Sequence, residues 1–243
     1  MEWIKYEKNW KVPVKSWCSE IEDGALKQAV NLANHPCVYK HVALMPDCHQ
    51  GYGMPIGGVI ACEDVVIPNA VGVDIGCGMV AVETSLSTDL FKELLDRRKV
   101  LDYVKEFVPL GEGKSHKEEQ KWSGFDEYLA QPDAPSDRWP SKLDRKNLGT
   151  LGGGNHFIEL QSDENNIIWL MIHSGSRNLG YKIADYYHKK ALKMNQQFHT
   201  ALPDKDLAFL PVDSDLGQGY IRDMNFALAY AMENRQRMMS AFK

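Results

Sequence analysis

Between Asp23 and Ala33 the apolar residues Ala25, Leu26, Ala29, Val30, Leu32 and Ala33 recur at the spacing that lines one face of an α-helix. Asp23 opens this run as a cap and Pro36 stops it, so a short capped helix is predicted. Brief β-like stretches follow at 38–45, 59–62, 65–67 and 79–83, cut by glycine and proline, which predicts a compact, loop-rich sheet region. A longer helix is predicted from about Ser87 to Phe107, with Ser87 or Thr88 as cap and Leu90, Leu94, Leu101 and Val104 on one face.

From 111 to 143 the chain turns polar and breaker-rich, which predicts a surface excursion or lid, with a plain solvated loop as the other reading. Strand-like segments return at 156–160 and 167–173. Two amphipathic helices close the sequence, one carrying Ile183, Ala184, Tyr187, Ala191, Met194 and Phe198, the other Ile221, Met224, Leu228, Ala231, Met232 and Met239. The pattern predicts an α+β fold, mixed β-sheets flanked by helices, as a single domain over residues 1–243.

With 44% hydrophobic and 25% charged residues, the chain can bury a core and is neither a disordered tail nor a coiled-coil rod. No apolar run approaches the roughly 20 residues of a membrane span, and the first residues lack the basic-then-apolar form of a signal peptide. The expectation is a soluble, cytoplasmic protein. Cys18, Cys37, Cys48, Cys62 and Cys77 are odd in number and form no CxxC pair, which fits reduced thiols rather than a disulfide framework. A net charge of −5 offers no global attraction to a phosphate polymer, so any nucleic-acid binding must be local or metal-borne.

Glycine-rich turns concentrate at 45–58, 72–78 and 151–159, and each delivers possible metal ligands from a strand end. In Gly72-Val73-Asp74-Ile75-Gly76-Cys77-Gly78 a carboxylate and a thiol stand three residues apart in an otherwise small or apolar run. A charged Asp there needs a partner, since desolvating it alone costs several kcal/mol. His156 and His173 each border an apolar strand, where a lone histidine is usually a hydrogen-bonded core residue. Beside Asp74 and Cys77 they complete a borderline-soft donor set that suits Mn, Zn, Fe or Co. Gly152-Gly153-Gly154-Asn155 has bare backbone amides that can cradle a phosphate, or is simply a tight loop; it matches no Walker motif.

These segments, 46–53, 72–78, 152–159 and His173-Ser174-Gly175-Ser176-Arg177, resemble in order and type the motifs of the RtcB RNA ligases, and Tyr230-Ala231-Met232-Glu233-Asn234-Arg235-Gln236 resembles the family's next helix. The likeness runs from about Val38 to the end of the chain. It implies an RtcB-like fold with a metal and nucleotide site at glycine-rich strand ends. It implies an enzyme, dependent on GTP and two manganese ions, that joins RNA 3′-phosphate or 2′,3′-cyclic phosphate ends to 5′-hydroxyl ends in tRNA splicing or RNA repair. Asp74, Cys77 and His156 would hold one manganese, and Cys77 with His173 the second. Asn155, His156, Phe157, Ile158 and Glu159 would contact GMP, with Asn155 at its phosphate and Glu159 at the guanine edge. Asp47 would orient the nucleophilic histidine, and Arg177 would meet an RNA phosphate. RNA, GTP or GMP and an archease-like activator would be the partners.

The family's nucleophilic histidine lies in a His-Gly-Ala-Gly-Arg-like segment, and none occurs in this sequence. The chain therefore reads as truncated at its C-terminus. A metal-dependent phosphoesterase and a noncatalytic module that binds metal, GMP or RNA are the rival readings. Because phosphoramidate chemistry needs an imidazole nucleophile, incubation of the chain with radiolabelled GTP is expected to leave no covalent GMP on the protein. A labelled band on a denaturing gel would contradict that.

Overall fold

The computed structural model describes residues 1–94 and 96–242. Leu95 and Lys243 lie outside the described residues, as do the side chains of Glu93, Leu94 and Arg97, so the placing of Leu94 on a helix face falls outside them. The chain forms two compact units: Met1–Val73 with Ile183–Arg222, and Asp74–Lys182 with the residues from Asp223 onward. The fold class is α+β, with several sheets flanked by helices.

In the first unit, β1 (Trp3–Lys5), β2 (Val14–Ser16), β3 (Val38–His49) and β4 (Ile56–Cys62) form one sheet in that order, with β2 and β3 parallel and the other pairs antiparallel. Helix α1 (Asp23–Ala33) buries Ala25, Ala29, Leu32 and Ala33 into a core with Val14, Val42 and Leu44. Its N-cap is Glu22 rather than the expected Asp23, and no side chain caps the end. The Glu22 carboxylate instead accepts the Gln50 amide at the β3–β4 turn. A two-stranded ladder of β5 (Val65–Val66) and β9 (Leu210–Pro211) and the short α2 (Pro68–Val71) complete this unit.

The second unit is built on an antiparallel sheet with β8 (Ile167–Ser174) between β6 (Gly78–Ser87) and β7 (Phe157–Ser162). Burial alternates strictly along β8: Ile168, Leu170 and Ile172 enter the core, while Ile167, Trp169, Met171 and His173 lie half-buried on the other face. The helix expected over 87–107 is two helices, α3 (Thr88–Leu94) and α4 (Arg97–Phe107). Asp96 is non-helical, and its carboxylate accepts the Arg98 amide, so the side chain caps a new helix rather than continuing the old one. Ser87, expected as a cap, ends β6 and also caps α3, its hydroxyl oxygen accepting the Leu90 amide at 3.2 Å.

Segment 111–143 carries α5 (Ser123–Leu129) and buries Phe125, Tyr128 and Trp139. Tyr128 stacks on Phe226 at 4.0 Å, and its hydroxyl donates to Asp223 at 2.8 Å. Then come α6 (Lys142–Asn147), α7 (Asn178–Gln197) and α8 (Asp215–Ser240). Two stripe residues differ from expectation on α8: Leu228 and Met232 are exposed, and the buried residues are Tyr220, Asp223, Phe226, Ala227, Tyr230, Ala231, Asn234, Met238 and Met239. Phe198, expected on α7, lies beyond its end and is exposed. Among the described residues no helix is long and apolar enough to cross a membrane.

Asp144 in α6 is 1% exposed and receives Lys182 Nζ at 2.8 Å together with the Ser141 amide and hydroxyl. Removing it orphans those donors. Asp144→Ala is therefore expected to lower stability by about 2–3 kcal/mol, read as a lower urea midpoint with an unchanged slope.

Candidate metal centre

Three glycine-bearing segments of the second unit meet at one end of its sheet. In the first, the Cys77 amide donates to the Asp74 carbonyl at 2.9 Å, closing a four-residue turn. Gly76 at its third position has φ +77, a value that favours glycine there, and a Cβ at Gly76 would stand 2.8 Å from the Ala231 side chain. Ile75 is fully buried beneath the turn, which leaves Asp74 half-buried and Cys77 exposed on its other side. The second segment, the end of β8, delivers His173. In register beside it stand Met79 of β6 and Phe157 of β7, whose ring meets the imidazole edge at 5.4 Å. The third is the loop 149–156, which delivers His156.

The four side chains converge. Cys77 Sγ lies 3.1 Å from His173 Nε2 and 3.6 Å from His156 Nε2, and His156 Nε2 lies 2.9 Å from Asp74 Oδ2. Among the described residues, Asp74, Cys77 and His156 make up a group whose possible ligand atoms all fall within 4.8 Å of one another. Gly175 permits this closeness, because a Cβ there would stand 2.2 Å from the Asp74 carboxylate.

The hydrogen bonding fits the donor set to a cation. His156 Nδ1 lies 2.9 Å from the Leu151 carbonyl, an acceptor, so the ring proton is assigned to Nδ1. Nε2 then turns its lone pair toward a carboxylate oxygen, a contact that is repulsive unless a proton or a cation stands between them. A ligand imidazole with its second nitrogen bound to a backbone carbonyl is the arrangement that holds metals elsewhere. Burial by itself would raise the Asp74 carboxyl. With a proton between the two groups, hydrogen bonds from His156 and Cys77 and the positive charges of His156 and Arg177 outweigh it and hold the carboxyl below the usual range. Burial and the Asp74 charge push the Cys77 thiol up to about 12.

Arg177 has φ +59 and turns its half-buried side chain back over the loop, with Nε donating to Thr150 Oγ1 at 3.2 Å and Nη1 lying 3.4 Å from His156 Nδ1. Gly152 makes room, since a Cβ there would overlap the guanidinium. Asn155 is exposed at the loop tip. Along β7 the side chains alternate, so Phe157 and Glu159 share the face of His173, and Ile158 packs with Leu151, Leu170 and Ile172 behind the sheet. A cavity of about 450 Å³ opens on that rear face, walled by Val104, Leu110, Leu151, Ile158 and Leu170. Glu159 also borders this cavity, and the rest of its lining is apolar. Asp47 belongs to the first unit, fully exposed near the end of β3, with its carboxylate 4.0 Å from His49 Nδ1.

Two residues of this site were not singled out from the sequence. Asn234 of α8 is fully buried: it accepts the Gly149 and Thr150 amides and donates to the Thr150 carbonyl, Ser174 Oγ and the Gly175 carbonyl. Arg235 Nη1 donates to the Gly76 carbonyl at 2.7 Å and the Ser174 carbonyl at 2.8 Å. Both fall in the polar run 233–237, which hydrophobic periodicity reads as a solvated face.

Residues 28–243 match the family model described as tRNA-splicing ligase RtcB. The chain is 37% identical to the RNA-splicing ligase RtcB of Escherichia coli K12 over 93% of its own length, and 31% identical to the tRNA-splicing ligase RtcB of Thermococcus kodakarensis over 96%. It spans 59% and 58% of those two relatives.

A thiol held near 12 stays protonated at neutral pH, and its thiolate fraction rises tenfold per pH unit up to that value. In metal-free protein at pH 8, Cys77 is expected to react with iodoacetamide roughly 10³-fold more slowly than a free cysteine. Peptide mapping that finds Cys77 alkylated at the free-thiol rate would show that the cluster ionises it unaided.

Proposed function

The chain belongs to the RtcB family of tRNA-splicing ligases, and from that premise we propose that it forms the cation- and nucleotide-holding part of an RNA ligase. That ligase joins RNA 3′-phosphate or 2′,3′-cyclic phosphate ends to 5′-hydroxyl ends after activation with GMP. The observation that carries the reading is the 2.9 Å approach of an Nδ1-protonated His156 to the Asp74 carboxylate, with Cys77 and His173 beside it. Such a set is frustrated until divalent cations enter it.

Asp74, Cys77 and His156 would hold one manganese ion, and Cys77 with His173 the second. Bound there, they would neutralise phosphate charge and act as Lewis acids. The chain's own residues do the rest. Leu151 fixes the His156 tautomer through its carbonyl, and Ser176 Oγ steadies the second Asp74 oxygen at 3.4 Å. Asn155, at the tip of the glycine loop, offers an amide to a nucleotide phosphate. Phe157 and Glu159, on the His173 face, offer a ring edge and a carboxylate to guanine, with Ile158 bracing their strand from behind. Arg177, beside His156, supplies the positive charge that an RNA phosphate would meet.

Manganese titration followed by electron paramagnetic resonance is expected to count two ions on the chain. GTP should bind only after them, and Cys77→Ala should lose both ions because it removes the shared ligand. Full manganese binding by Cys77→Ala would sink the assignment. Turnover of a cyclic-phosphate RNA end without GTP would replace the ligase with a phosphoesterase.

A further inference from the structure

Cys77 stands just past the point where the β6–β8 ladder stops at Gly78 opposite Ser174, and His173 lies one pair inside that end, opposite Met79. Beyond that pair the Gly76 carbonyl has no strand partner, and the turn that carries Cys77 is joined to β8 by a side chain instead. A single nitrogen, Arg235 Nη1, donates to the Gly76 carbonyl on one side and the Ser174 carbonyl on the other, at 2.7 and 2.8 Å. These acceptors are the residue before Cys77 and the residue after His173.

We propose that Arg235 is a positioning residue, which sets the 3.1 Å separation of Cys77 Sγ and His173 Nε2 and through it the affinity of the site for its cations. It touches neither ion nor nucleotide. It acts by fixing two carbonyls whose neighbours carry the ligands, as groups behind a ligand shell do in other metal sites. The buried Asn234 one residue earlier holds Ser174 and Gly175 from the core side, so the end of β8 is gripped from two directions by one turn of α8. Asn234 serves the fold as well as the site. Arg235 is half-buried, and its hydrogen bonds to the Gly76 and Ser174 carbonyls go to the turn and the strand that bear the ligands.

The inference rests on the metal reading above. Cobalt(II) titration of the full chain tests it by two readouts, the dissociation constant and the thiolate-to-cobalt charge-transfer band, with thermal unfolding of the metal-free protein measured alongside. Arg235→Met is expected to bind cobalt roughly 10–100-fold more weakly and to show a weaker, shifted charge-transfer band. Arg235→Lys is expected to keep the band and most of the affinity, since its Nζ can stand where Nη1 does and donate to both carbonyls. A purely structural role would lower the unfolding temperature of Arg235→Met but leave its affinity and band at wild-type values, and that result overturns the proposal. Should Arg235→Met not fold, Arg235→Gln decides, because its amide is too short to bridge both carbonyls. Weaker binding by Gln than by Lys supports the proposal, and wild-type binding by Gln overturns it. A wild-type chain that binds cobalt without a charge-transfer band sinks the metal reading itself, a failure distinct from unchanged variants.

Discussion

One buried amide ties together the loop, the strand end and the helix that make the site. Asn234 has no exposed surface, and its two polar atoms are used in opposite senses: the oxygen accepts two backbone amides of the glycine loop, and the nitrogen donates to two carbonyls and the Ser174 hydroxyl. An amide placed the other way round would face like against like at every one of those backbone contacts, so its orientation is fixed by chemistry. The backbone groups it satisfies belong to a loop that turns at Gly149 and Gly152 with positive φ and has no strand ladder for its amides. Left alone and buried, each such group costs about 1–3 kcal/mol. This helix therefore steadies the irregular loop, together with the bonds of the Thr150 amide to the Asn147 carbonyl and of the Leu151 amide to the Pro109 carbonyl. One turn earlier on the same face, Tyr230 donates to the Asp144 carbonyl at 2.7 Å, so α8 anchors the start of the segment through α6 and its end through Asn234.

That rigidity is what makes the ligand cluster possible. Three lone-pair-bearing groups within a few ångströms repel one another, and a flexible site would open to let water in. Here Ile75 below the turn, Gly175 behind Asp74 and Asn234 behind the loop leave little freedom to relax. The Cys77 thiol keeps its proton under these conditions, because ionising it beside Asp74 would add a second negative charge. A divalent cation reverses that balance for both groups at once. The preorganisation is bought with fold stability elsewhere in the unit, in the aromatic stack of Tyr128 and Phe226 and the Asp144–Lys182 pair.

Much of this was legible in the sequence, and the failures have identifiable causes. A short apolar run gave β8 almost to the residue, while the alternation of its two faces became visible only in the structure, because no polar residue marks the less buried side. Asp74, Cys77, His156 and His173 stood out because polar groups in glycine-rich apolar runs need a partner. The helix over 87–107 was misread because Asp96 is compatible with a helix interior in sequence but caps a second helix in space. The phase of α8 was misread for a deeper reason. Its buried face carries Asp223 and Asn234, two polar residues satisfied by Tyr128 and by the glycine loop, and both partners come from distant parts of the chain. Hydrophobic periodicity discounts such residues, so the stripe drifted onto Leu228 and Met232, which are exposed. What it missed includes Asn234, whose amide holds the glycine loop and the end of β8.

The charge balance of the site bears on the order in which partners would bind. The whole chain carries a net −5, so a phosphate ligand gains nothing from the long-range field. Locally, Arg235 is committed to two carbonyls, and Arg177 shares its guanidinium between Thr150 and the edge of His156. Burial lowers the pKa of both arginines, which marks the cost of keeping those charges out of water. Asp74 offsets one of them. A cluster of this composition is poorly suited to attract a triphosphate by itself, whereas divalent ions held at Cys77 would turn the same pocket strongly positive. On the proposed reading the cations are thus a condition for nucleotide binding as well as for chemistry, and the glycine loop with Asn155 contributes direction to an attraction that the metals supply.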